Sequence, residues 1–176
     1  MATPQPDAIA LLKADHRAVE ALFEEFGKAR GASRKAALVH QICVDLTVHT
    51  MVEEEIFYPA CRGKIDDSTL DEAYVEHDGA KMLIAELADA PPSEAFYDAK
   101  VKVLSEEIKH HVHEEEMRSE GMFAQARQAG LDMEALGERM QARKRQLKTQ
   151  FETSGLPIQQ THSMRGVELE HIGLRH

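Results

Sequence analysis

Apolar residues recur at intervals of three and four through most of the chain, the spacing that lines one face of an α-helix. Helix A is predicted from about Asp7 to Gly27, with Ile9, Leu12, His16, Val19, Phe23 and Phe26 on one face. Helix B follows Ser33 and continues to about Arg62, repeating the rhythm in Leu38, Ile42, Leu46, His49, Glu53, Ile56 and Ala60. Helix C opens at Ser68, where Ser68 and Asp71 have capping-box spacing, and its stripe is Leu70, Tyr74, His77, Ile84 and Leu87 before Pro91 and Pro92 end it. Ser93 is the expected cap of helix D, whose stripe is Tyr97, Val101, Leu104, Ile108 and Val112. Gly130 separates a fifth helix, from about Asp132 to Gln150, after which no periodicity persists. Long helices joined by short loops predict an all-α fold: an antiparallel up-down-up-down four-helix bundle with an additional C-terminal helix. Residues 1–152 form one domain on this reading, and 153–176 a flexible tail.

Composition narrows the partners. The chain has 176 residues, 43% of them hydrophobic and 30% charged, the mixture of a globular domain with a real core. No apolar run approaches the roughly 18 residues of a membrane span, and the opening residues lack the basic and apolar regions of a signal peptide, so a cytoplasmic protein is expected. A net charge of −10 has the wrong sign for a phosphate backbone, and neither nucleic acid nor membrane is an expected partner. Cys43 and Cys61, on one helix, would lie about 27 Å apart at about 1.5 Å per residue, too far to bridge. Ten histidines beside no tryptophan direct attention to metal ligation.

Each predicted bundle helix carries a histidine in or near its apolar stripe: His16, His49, His77, and either His110 or His111. A single core histidine is usually one that hydrogen-bonds to a neighbour. Four imidazoles and two carboxylates in one layer are different, because unpaired buried charge costs several kcal/mol and a cation compensates it most simply. His49-x-x-x-Glu53 places both side chains on one helix face. On helix D, at about 100° per residue, His111 and Glu115 lie within roughly 60° of the apolar centre and His110 roughly 160° away, which selects His111-x-x-x-Glu115. His110, His113, Glu114 and Glu116 are then a solvated face, with room for one to stand behind the inner ligands. Asp15-His16 and Glu76-His77 begin similar segments, and His49 follows His16 by 33 residues much as His111 follows His77 by 34. Two similar half-sites suggest two metal ions sharing the carboxylates, and imidazole plus carboxylate suits iron, manganese or zinc.

With Asp15-His16, the run from His49 to Pro59, Glu76-His77, the run from His110 to Glu116 and the stretch from Ala129 to Gly137, the sequence resembles the hemerythrin family, specifically bacterial proteins with the HHE cation-binding domain. The resemblance covers about Asp7 to Arg145. It implies two non-haem iron ions, one on His16 and His49 and the other on His77 and His111, bridged by Glu53, Glu115 and an oxo, hydroxo or water group. It also implies binding or sensing of oxygen, nitric oxide or iron, with decomposition of hydrogen peroxide or another di-iron oxidation as the alternative; the partner is thus a small diatomic molecule or peroxide. The chain departs from oxygen-carrying hemerythrins at helix C, where a second histidine one turn from His77 is replaced by Ala73 on one side and Lys81 on the other. Glu72, Glu76, Tyr74 or water are the candidates to fill that position. A ferritin-like site would need two Glu-x-x-His motifs on bundle helices, and only Glu107-x-x-His110 fits within the bundle.

Overall fold

The computed structural model describes residues 6–164 and 168–169. Its bundle consists of α1 (Ala8–Lys28), α2 (Ala32–Val52) continued by a π-helical turn (Glu53–Phe57) and α3 (Tyr58–Cys61), α4 (Asp67–Leu87) and α5 (Tyr97–Glu116). Each packs on its sequence neighbour, and α5 closes the ring against α1. Two further helices, α6 (Met122–Gln128) and α7 (Met133–Ser154), follow. The fold is the all-α bundle that the periodicity predicts, and no helix is long and apolar enough to cross a membrane.

Apolar stripes bury two cores at opposite ends of the bundle. One gathers Leu12, Val52, Phe57, Tyr58, Leu70, Tyr74 and Phe123; the other gathers Val19, Phe26, Ile42, Leu46, Ile84, Leu104 and Ile108. Along α1, His16 falls between Leu12 of the first core and Val19 of the second, and His49 falls similarly between Val52 and Leu46 on α2. The polar positions inside the stripes thus form one buried layer between two hydrophobic ones.

Several boundaries differ from the expectation. The cap of α4 is Asp66, which accepts from the Ser68 N–H at 2.9 Å and from the Ser68 hydroxyl at 2.7 Å, so Ser68 and Asp71 do not form the capping box. Ser93 does not cap α5. After the two prolines the chain makes turns closed by Glu94 N–H to Pro91 O and Tyr97 N–H to Glu94 O, and the helix begins only after Phe96, an exposed residue in left-handed conformation. Helix B is interrupted at Glu53, and α6 escapes a periodicity test because its seven residues make barely two turns.

The fifth helix lies across α1 and α2. Asp132 caps it by accepting from the Ala135 N–H at 3.0 Å, and Leu136, Met140, Leu147 and Phe151 are its buried face. Gly137 allows the approach, since a Cβ there would lie 2.6 Å from the Pro6 carbonyl oxygen and 2.9 Å from the Ala8 nitrogen. Beyond α7 the chain returns over the bundle. Buried Asp78 accepts from the N–H groups of His162 (2.8 Å), Ser163 (2.6 Å) and Met164 (3.1 Å) and from the Ser163 hydroxyl (2.6 Å), and the His162 ring stacks on Tyr74. A two-residue strand, Gln159–Gln160, pairs antiparallel with Glu168–Leu169. The rest of the tail expected to be flexible, 165–167 and 170–176, lies outside the described residues.

Candidate metal centre

Four helices aim imidazole Nε2 atoms at the polar layer from four sides. His16 Nε2 lies 3.3 Å from Glu115 Oε2, and His49 Nε2 lies 3.1 Å from Glu53 Oε2. On the other side His77 Nε2 is 3.3 Å from Glu53 Oε2 and 3.2 Å from His111 Nε2, which is 3.5 Å from Glu115 Oε1. All six residues chosen from the sequence, His16, His49, Glu53, His77, His111 and Glu115, are buried and meet here. They divide into two groups, His16, His49, Glu53, Glu115 and Glu53, His77, His111, with the ligand atoms of each group within 4.8 Å of one another. The rival pair on α5 points outward: His110 is 62% exposed and meets Glu76 and Glu114 at the surface.

Each imidazole uses its other nitrogen on a carboxylate from an adjacent helix. His16 Nδ1 meets Glu116 at 2.7 Å, His49 Nδ1 meets Asp15 at 3.5 Å, His77 Nδ1 meets Glu54 at 2.9 Å, and His111 Nδ1 meets Glu76 at 2.7 Å. Such a carboxylate fixes the ring and makes Nε2 a better donor to a metal. Three of the four carboxylates carry a cation on their outer side, Arg17 on Glu116, Lys144 on Asp15 and Lys81 on Glu54, while Glu76 has His110.

A seventh polar group was not selected from the sequence. The Tyr58 hydroxyl, fully buried, donates to Glu115 Oε1 at 3.1 Å, and lies 3.1 Å from His77 Nε2 and 3.4 Å from Glu53 Oε2. In a regular α-helix Tyr58 would point about 140° away from Glu53, five residues at about 100° each. The π turn changes this, because the Tyr58 N–H bonds to the Glu53 carbonyl five residues back and stacks Tyr58 over Glu53. Pro59 is the signal for it: a proline inside a helix has no N–H to donate and its ring pushes against the carbonyl four residues earlier, so the preceding turn must widen. Tyr58 also occupies the side of the site where helix C lacks its second histidine. Of the candidates for that place, Glu72 is exposed, Glu76 serves His111, and the Tyr74 ring is engaged by Tyr58 and His162; Lys81 donates to Glu54 at 2.7 Å.

Electrostatics ask for cations in this layer. Burial works against charge on His49, yet Glu53 and Asp15 outweigh it and raise its pKa to about 10. Burial is likewise outweighed at His111 by Glu115 and Glu76, which raise it to about 9. Glu53 is held well below the usual carboxylate range, its burial overcome by His49 and His77. Tyr58 is pushed well above the usual phenol range by burial and by Glu115 and Glu53, an ordering that bound cations would reverse. Among the described residues, His16 Nε2, His49 Nε2, Glu53 Oε1 and Glu115 Oε2 are buried side-chain atoms with no hydrogen-bond partner, and all four belong to one group of ligands. Buried polar atoms are rarely left so, and a metal ion accounts for the four together. Beside them is a cavity of about 70 Å³, lined by His16, His49, His77 and His111 and by the apolar Val19, Leu46, Ile108 and Val112.

The family model for the hemerythrin HHE cation-binding domain matches residues 7–126. The chain belongs to that family. A crystal structure of a hemerythrin HHE cation-binding domain-containing protein from Mycobacterium kansasii superposes with a TM-score of 0.69 over 86% of this chain and 95% of that one, at 22% identity, which shows a shared fold. A DNA nickase of Nostoc sp. is 29% identical over 106 residues, 60% of this chain. Those residues span only 30% of the Nostoc protein.

Proposed function

We propose that this HHE domain holds two non-haem iron ions and binds or senses a small uncharged ligand such as oxygen or nitric oxide. The observation that carries the reading is the pairing of a carboxylate-linked double site, with inward atoms that have no hydrogen-bond partner, and a small apolar cavity touching all four imidazoles. His16 and His49 would hold one ion and His77 and His111 the other, with Glu53 and Glu115 shared and Tyr58 beside the second. Iron bound there supplies electron exchange with the ligand. The protein's part would be to hold the imidazoles by their Nδ1 atoms, keep Glu53 and Glu115 within reach of both histidine pairs and line the approach with apolar groups. The match spans only 30% of the Nostoc protein, so its nicking activity is not carried over.

Tyr58 favours a second reading, breakdown of hydrogen peroxide. Its hydroxyl, within reach of Glu53 and Glu115, can deliver and recover a proton at the edge of the site, which cleavage and release of a peroxide require. Metal analysis with optical spectra recorded anaerobically and then in air tests both readings. About two irons per chain are expected, and a His16→Ala/His77→Ala variant that still loads them fully would overturn the assignment. A colour change that reverses on removing oxygen supports binding. Steady oxygen release from peroxide, lowered at least tenfold in Tyr58→Phe at unchanged iron content, supports the enzyme.

A further inference from the structure

The cavity beside the imidazoles reaches the surface along α7, a helix that lies beyond the residues matched by the family model. Ala18 and Lys148 line it although both are exposed, whereas Val19, Leu46, Ile108 and Val112 line it and are buried. At that outer end α7 lays two lysines one helical turn apart, each against an aspartate of the bundle. Lys144 pairs with Asp15, which itself orients His49, and Lys148 lies 3.4 Å from Asp45. Lys148 is half-exposed, and an ion pair of that kind is weak and opens readily. The two pairs sum to no net charge, so they offer an approaching ion no steering. Farther in, the apolar walls cannot replace the hydration of an anion. The space suits about two water-sized molecules.

We propose that α7 roofs the path to the centre: the half-exposed Lys148 side chain on Asp45 is the latch at its mouth, Lys144–Asp15 its fixed edge, and the path behind admits small uncharged molecules. This rests on the reading of the site as a small-ligand centre and adds the residues that set access to it.

Ala18→Trp, at an exposed position, obstructs the mouth without adding volume to the core, and Lys148→Ala releases the latch. In the metal-free chain under xenon pressure, the methyl resonances of Val19, Ile108 and Val112 should shift, and Ala18→Trp, which narrows the mouth without filling the cavity, should slow the exchange of xenon with solvent, followed by xenon saturation transfer, at least tenfold. In the iron-loaded protein Ala18→Trp should slow nitric oxide binding at least tenfold, and Lys148→Ala should speed it about threefold, both with unchanged iron content. Cavity methyls indifferent to xenon, or a nitric oxide rate unaltered by Ala18→Trp, would remove the path; an unaltered rate in Lys148→Ala would remove the latch. If the chain takes up no iron, the reading of the site as an iron centre fails by itself, and the rate of xenon exchange still decides whether the path exists.

Discussion

Loading this centre must expel protons. In the metal-free chain burial disfavours charge on both imidazoles, but Glu53 and Asp15 hold His49 at about 10, and Glu115 and Glu76 hold His111 at about 9. A metal takes an imidazole nitrogen only from the neutral ring. At pH 7 the opposition is therefore about three log units at His49 and about two at His111, together about 7 kcal/mol at about 1.36 kcal/mol per unit. The overall affinity for the metal pair should rise about a hundredfold per pH unit between pH 7.5 and about 9, and about tenfold from there to about 10. Zinc titration calorimetry in buffers of different ionisation enthalpy counts the protons, and about two per chain should be released at pH 7.5. Stability of the metal-free form has the opposite trend. Both histidines are raised above the unfolded value of about 6.5, so their contribution is complete below that pH and disappears as pH climbs through about 9 and about 10. The metal-free Tm should fall between pH 8 and 10. Heats of zinc binding independent of the buffer would refute the charged imidazoles and the reasoning built on them.

Two packing predictions are independent of metal. Gly137→Ala should destabilise the protein by about 1–3 kcal/mol in thermal unfolding, because its Cβ meets the backbone of Pro6 and Ala8, which cannot yield as a flexible side chain does; an unchanged Tm would show that α7 can stand off α1. Asp78→Ala removes the acceptor for three backbone N–H groups, and hydrogen exchange of the amides of His162, Ser163 and Met164 should quicken at least tenfold, whereas retained protection would mean that the segment is held by the Tyr74 stacking and strand pairing alone.

The long helices were legible because each carries a full apolar stripe, and the choice of His111 and Glu115 over His110 and Glu114 as the inward pair was legible because adjacent residues diverge by about 100°. What escaped were features set by departures from α geometry or by distant contacts. Pro59 signals the π turn, but that it would bring Tyr58 into the polar layer depends on where the widening occurs, one residue either way turning the phenol elsewhere. The start of α5 was missed for a related reason: Ser93 is a good cap by composition, yet the turns after Pro92 delay the helix to Tyr97. Residues 159–164 show no periodicity because Asp78, far away in sequence, supplies the contacts that hold 162–164.

The acids next to the ligands show the same limit and its logic. Asp15 precedes His16, Glu76 precedes His77, Glu54 follows Glu53 and Glu116 follows Glu115. None of them can support the ligand beside it, since neighbouring positions on a helix point about 100° apart. Each is turned instead toward the next helix: Asp15 of α1 meets His49 of α2, Glu54 of the π turn meets His77 of α4, Glu76 of α4 meets His111 of α5, and Glu116 of α5 returns to His16 of α1. The four contacts close a circle around the bundle in chain order. The doubled acids and acid-histidine pairs are thus one device written four times, in which every helix holds an inward histidine of its own and orients the histidine of its successor. Removing any one of these carboxylates loosens a histidine on another helix, so the rotation of all four helices about their axes and the aim of the imidazoles are fixed by the same set of contacts.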